Sequence, residues 1–160
     1  MRQLKPRRGL TLVELMVGIG IAAILMMASA PFFGDYIRNA RLREAGNALL
    51  SEALFAQSEA IKLNATVRLS TSGATLQVID LGAPIPPLRE RMLSGNVSVP
   101  VATIDYGSEG RPVPFGTSAS IDLSMAGVTC SDDARCPGLR VDAGGGTRLC
   151  TNHLDTVNCP

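Results

Sequence analysis

The chain has no tryptophan, one histidine and only 4% aromatic residues, so any core it builds is aliphatic. The scarcity also removes chemistry. With a single histidine, His153, no G-x-S-x-G, no phosphate-binding glycine loop and no paired-carboxylate motif, nothing is left to run nucleophilic or phosphoryl-transfer catalysis. The sequence is expected to be acted on by enzymes and not to be one, and no cofactor is expected. Strong charge of one sign is missing too, the formal net charge being +1. Residues 66–160 hold seven arginines against nine acids, which counts against binding of DNA by the whole domain, since such domains are basic. There is no internal repeat, and low complexity is confined to Gly144-Gly145-Gly146.

What charge there is lies unevenly. Arg2, Lys5, Arg7 and Arg8 fall in the first nine residues without an acid; the rest of the chain carries 11 bases against 14 acids. Next comes LTLVELMVGIGIAAILMMASA, residues 10–30, with one charge, Glu14. About 20 apolar residues as a helix cross a bilayer core, and the preceding cations direct the first residues to the cytoplasmic side and the rest outward. A secretory signal cut after Ala28-Ser29-Ala30 is the plainer alternative. The run is longer than an ordinary signal core, and Pro31 fits the position after such a cut poorly. A simple single-span anchor leaves Glu14 unexplained, although an acid at that depth costs about 2.5–3.5 kcal/mol.

Pro31 removes a backbone donor and is expected to kink the helix. Phe32, Phe33 and Tyr36 follow, suited to a membrane–water boundary. Leu42, Ala45, Leu49, Ala53, Ala56, Ala60 and Leu63 then recur at three- and four-residue steps and predict a helical face packed on a domain. Arg41, Arg43, Glu44, Glu52, Gln57, Ser58 and Lys62 are assigned to the solvated remainder, and Asn64 is the expected stop. Beyond it the period becomes two. Residues 65–70 and 75–79 read as a hairpin about Thr71-Ser72-Gly73, and further short strands are expected at 97–101, 103–106, 118–123, 139–141 and 148–149. The fold class is therefore α+β: a long N-terminal helix packed on an antiparallel sheet or small sandwich. Its expected divisions are a leader (1–9), an apolar half-helix (10–30), an amphipathic half-helix (31–64) and a β-rich domain (65–160).

All four cysteines, Cys130, Cys136, Cys150 and Cys159, lie in the last 31 residues, which points to disulfides in an oxidising compartment. Three pairings are open; Cys130–Cys136 and Cys150–Cys159 are favoured because each closes a short local loop. A zinc site is disfavoured: the spacings are C-x5-C and C-x8-C, and His153 is the only imidazole. No metal is expected.

Arg8-Gly9-Leu10-Thr11-Leu12-Val13-Glu14 resembles the processing site of type IV pilins and pseudopilins. The resemblance implies a prepilin peptidase that cuts between Gly9 and Leu10, N-methylation of Leu10, and a kink at Pro31. Leu10 stands where most members have phenylalanine. It also implies a role for Glu14, the fifth residue of the mature chain: in the water-free bundle of filament helices it neutralises the new α-amino group of a neighbour. Residues 42–69 and CPGLRVDAGGGTRLC (136–150) resemble the GspH/FimT/FimU-like minor pilins and pseudopilins. Implied partners are prepilin peptidase, other major and minor pilins or pseudopilins and, before assembly, the bacterial inner membrane, with the globular domain in the periplasm. The pilus reading and that of a type II secretion pseudopilus both remain open.

DNA-binding members of this group carry Gly-Arg-x-Arg near the C-terminus. The matching residues here are Gly145-Gly146-Thr147-Arg148, so one arginine survives as Arg148, and Arg140 on the preceding strand is a second candidate. Losing a cation weakens phosphate contact, and Asp142 and Asp155 oppose it further.

The processing site predicts that Gly9→Val leaves the precursor at full length, and that mass analysis of the wild-type chain finds a mature N-terminus at Leu10. A mature chain beginning at Pro31 would instead identify a secretory signal.

Overall fold

The computed structural model describes residues 11–157 and Cys159. One helix, α1 (Leu12–Leu63), is followed by β1 (Val67–Gly73), β2 (Thr75–Asp80), β3 (Arg89–Met92), β4 (Val97–Tyr106), β5 (Ala119–Asp122), β6 (Ser124–Met125), β7 (Gly138–Val141) and β8 (Thr147–Cys150). The chain divides into two compact units, residues 1–36 and 37–160.

In the first unit the described residues are helical from Leu12, and the large apolar side chains from Leu12 to Met27 are solvent-exposed. So broad an apolar surface calls for lipid or other helices around it. No single straight helix among the described residues is long and apolar enough to cross a membrane; Leu12–Ala28 and Phe33–Leu63 taken together meet that test, and Pro31 lies between them.

In the second unit the helix buries Leu42, Ala45, Leu49, Ala53, Ala56 and Ala60 against the strands. Two of the residue assignments made from periodicity are corrected. Leu63 is 41% exposed, because the helix ends there. Glu52, assigned to the solvated remainder, is only 1% exposed: it lies three residues after Leu49 and four before Ala56, hence on the apolar stripe itself. The helix stops at Asn64, whose φ is 50°. The Ala65 N–H donates to the Ala60 carbonyl at 3.2 Å and the Asn64 N–H to that of Ile61 at 3.3 Å. These two bonds satisfy the last carbonyls in a Schellman arrangement, and asparagine tolerates the left-handed position.

Every ladder is antiparallel. A five-stranded sheet runs β3-β2-β1-β4-β6, and a three-stranded sheet runs β5-β7-β8. Inward Val67, Leu69, Leu76, Val78 and Ile104 of the first sheet and Ile121, Leu139 and Val141 of the second join the helix in one aliphatic core. The expected break after Val101 does not occur: β4 is continuous from Val97 to Tyr106. Its Pro100 cannot donate to a ladder, and the register shifts between Thr71 and Gly73 on β1 to accommodate it. The buried Thr71 hydroxyl donates to the Pro100 carbonyl at 2.7 Å. Arg68 lies directly across from Asp105 and donates to it at 2.6 and 2.8 Å. These hydrogen bonds and the attached charge hold the guanidinium pKa above its ordinary value. β3 and β6 were not expected from the sequence. β3, Arg-Glu-Arg-Met, is exposed along its length and offers no apolar alternation to read.

At Gly46 the helix leaves no room for a side chain: a Cβ there would lie 2.9 Å from Cγ of Pro137 and 3.3 Å from Leu149. Neither a proline ring nor a packed leucine yields readily. Gly46→Val is expected to destabilise the domain by about 1–3 kcal/mol through overpacking, measurable as a lowered unfolding midpoint.

Candidate functional site

Two regions hold the residues singled out from sequence: the start of α1, and the C-terminal sheet with its turn.

At the helix start, Gly9 and Leu10 lie outside the described residues. Glu14 lies within them and already has a local partner. The Glu14 N–H donates to the Thr11 hydroxyl oxygen at 3.2 Å, while the Glu14 carboxylate accepts from the Thr11 N–H at 3.4 Å. Thr11-Leu12-Val13-Glu14 is thus a reciprocal capping box, which satisfies two orphan donors of the first turn. The negative charge also favours the positive end of the helix dipole. The T-x-x-E spacing carried this information in the sequence. The carboxylate remains solvent-exposed, so capping leaves it accessible to a further partner.

In the C-terminal sheet, register places Ser120, Arg140 and Arg148 in one cross-strand row. The two arginine candidates are therefore neighbours, but they are not equivalent. The Arg140 guanidinium donates to Asp122 at 2.6 Å and to the Leu139 carbonyl at 3.1 Å, and its side chain is 14% exposed. It is committed to an internal ion pair. Gly138 makes room for that pair: a Cβ there would come 2.6 Å from the Asp122 carboxylate and 2.8 Å from the Arg140 guanidinium. Arg148 is exposed and lines a cleft of about 420 Å³ with Ser118, Ser120, Arg140 and Asp142.

The turn between β7 and β8 is built around Asp142. Its carboxylate accepts from the backbone N–H groups of Gly144 and Gly146, each at 2.9 Å. A Cβ at Gly146 would overlap that carboxylate, and one at Gly145, whose φ is 91°, would lie 2.7 Å from the Gly110 carbonyl. Gln57 of α1 bridges the two turns, donating to the carbonyls of Gly110 at 2.6 Å and Gly145 at 3.0 Å. The position of the first arginine in Gly-Arg-x-Arg is thus not merely empty of charge. An acid fills it.

The remaining contacts are structural. Cys130 is bonded to Cys136, and Cys150 to Cys159. Asn39 of the helix donates to the Asp133 carbonyl at 2.7 Å and accepts from the Arg135 N–H at 3.1 Å, which holds the first disulfide loop to α1. His153 places Nδ1 3.0 Å from the Cys136 carbonyl oxygen and serves the same region. Asn39 and Gln57 were not recognised from sequence, because their partners are backbone groups 53 to 96 residues away. Tyr106 is fully buried, and burial raises its phenol pKa; its hydroxyl makes no full hydrogen bond, and nearby Thr147 offsets the effect only in part. Among the described residues no cluster of three or more His, Cys, Asp or Glu side chains could hold a metal ion.

Known proteins resemble the chain in both regions. Residues 4–30 match the prokaryotic N-terminal methylation motif, and residues 45–145 match the family described as type II transport protein GspH. No curated protein matches the sequence. Crystal structures of the type IV minor pilin FimU of Pseudomonas aeruginosa PAO1 share the fold. One, in space group P21, is 17% identical and covers 78% of this chain and 99% of its own, with a TM-score of 0.61. Another, in P65, is 18% identical and covers 74% and 99%, with a TM-score of 0.57. With a methylation motif at its start and a pilin-fold domain after it, the chain belongs to the GspH family of type II transport proteins.

Proposed function

We propose that the protein is a minor type IV pilin: a precursor cut between Gly9 and Leu10, methylated on Leu10, held in the inner membrane by residues 10–30, and then built into a pilus as a priming or capping subunit. The observation that carries this reading is the join of a methylation motif to a pilin-fold domain in one chain. The exposed apolar helix of the first unit suits transfer from lipid to a bundle of like helices. A second reading, a minor pseudopilin of a type II secretion system, is favoured by the family description that matches residues 45–145.

In either filament Glu14 has two physical roles that need separating. It completes the capping box, and it supplies a charge to meet the α-amino group of a neighbour. A buried charge is tolerable when paired and costly when its partner is gone. Glutamine preserves a capping box but carries no charge. Glu14→Gln is therefore expected to reach the membrane with its helix intact and to be lost from the filament fraction. Thr11→Ala removes a cap, worth about 1 kcal/mol, yet is expected to assemble. Normal incorporation of the glutamine variant would remove the charge-pairing role. Recovery of the wild-type chain with sheared pili supports the first reading, and recovery only with secretion pseudopili supports the second.

A contribution to DNA uptake has one exposed arginine behind it, and the Asp142 carboxylate stands beside it. Retention of DNA by the full-length chain is expected to be weak, steeply salt-sensitive and reduced less than twofold by Arg148→Ala in an electrophoretic shift. A large loss on that substitution would assign Arg148 a DNA contact.

A further inference from the structure

The least expected group in the domain is Glu52. Its side chain is 1% exposed, and both carboxylate oxygens are buried without an aligned hydrogen bond. Buried polar atoms of this kind are few in native proteins, and each calls for a reason. Its charge partners both come from β3. Arg91 Nε is 3.0 Å from Oε1 and Arg89 Nη1 is 3.7 Å from it. Since no N–H points along either contact, the attraction is that of charges rather than of directed hydrogen bonds. Arg89 also lies 3.8 Å above the Phe55 ring, a cation–π contact that fixes its stem over the helix.

β3 is an edge strand of the five-stranded sheet, and only four residues long. Its register pairs Arg89 with Val78 and Arg91 with Leu76, both core-facing. The arginines thus occupy the inward row of the strand, while Glu90 faces outward, where its carboxylate accepts from Gln77 at 2.9 Å. Within β3 itself apolar burial does not specify this register, because none of its four side chains is buried. Just beyond it Leu93, in the same row, packs on the core and donates its N–H to the Ala74 carbonyl at 2.7 Å, which anchors one end. A slip by one residue turns the rows over. Glu90 would then be aimed at Glu52, two like charges in a site shielded from water, and both arginines would leave. A slip by two keeps the rows but sets Leu93 across from Leu76, or Pro87 across from Val78, and leaves Glu52 with one arginine.

We propose that Glu52, Arg89 and Arg91 form an electrostatic register lock, which holds β3 on β2 in a single alignment and keeps the outer sheet edge from re-pairing. Inward-pointing charge is a known means of blunting such an edge. Buried ionic groups are best attested as determinants of register, often at no gain in stability.

Hydrogen exchange of the full-length chain in detergent micelles, read by peptide mass spectrometry, tests the lock. Glu52→Gln is expected to accelerate exchange of residues 89–92 by about tenfold, an opening of the strand alone, while β1 and β4 keep their protection. Unchanged exchange in β3 overturns the proposal. The variant with Glu52→Met, Arg89→Met and Arg91→Met replaces the whole triad by apolar chains of similar length. It is expected to recover the melting temperature of the wild type and yet to exchange β3 fast and in more than one population. A triple variant with a single, fully protected β3 population shows that the triad serves stability only, which also overturns the proposal. If the triple variant does not fold, the glutamine variant decides alone.

Discussion

The domain depends on the aliphatic core that α1 shares with its two sheets. The buried stripe of the helix is made largely of Ala45, Ala48, Ala53, Ala56 and Ala60, with Gly46 set against Pro137 and Leu149. Small residues give the helix little side-chain volume to contribute, so the sheets supply the bulk: Leu69, Leu76, Ile104, Ile121 and Leu139 join the alanines in the core. Aromatic side chains are nearly absent from this arrangement, Tyr106 being the one fully buried. Close packing also brings polar helix residues within reach of distant backbone. Gln57 and Asn39 use that proximity to tie the C-terminal turn and the first disulfide loop to the helix.

Two glutamates on the same helix illustrate opposite solutions to one electrostatic problem. Glu14 belongs to an apolar run but sits in the first helical turn, where its carboxylate meets backbone donors and stays exposed. Glu52 sits mid-helix, where no backbone donor is free, and its counter-charges come from a strand 37 and 39 residues further along the sequence. The first is available to another molecule. The second is spent inside the domain, and its cost is offset by two guanidiniums that remain half-exposed and so keep part of their hydration.

Much of this was legible from residue order. The three- and four-residue spacing from Leu42 to Ala60 gave the buried face, and Asn64 gave the stop. Alternation in 65–70 and 75–79 gave the first hairpin, although Thr71 and Ser72 belong to β1 and the chain turns at Gly73-Ala74. The α+β class follows from these, while the pilin-like architecture came from the resemblance carried by residues 8–14, 42–69 and 136–150. Other features depend on partners remote in sequence. β3 exists because β2 needs an edge and Glu52 needs cations, neither of which is visible in Arg-Glu-Arg-Met. The commitment of Arg140 to Asp122 requires the β5–β7 register, which residue order alone does not supply. The acid held against Gly146 depends on a turn geometry that three consecutive glycines permit but do not specify.

That turn has an evolutionary consequence. Asp142 clamps the loop through the amides of Gly144 and Gly146 and occupies the volume any larger side chain at 146 would need. A lineage moving from this sequence toward a cationic tip by a substitution at Gly146 has to turn the exposed Asp142 side chain aside, since a Cβ there overlaps its carboxylate. Removing the carboxylate first still leaves the turn two backbone bonds, from the Asp142 N–H to the Gly146 carbonyl at 2.9 Å and from the Gly145 N–H to the Asp142 carbonyl at 3.0 Å, besides that from Gln57. The two positions are coupled through that one contact, so the order of change matters: a larger residue at 146 is easier to place once the acid at 142 is gone.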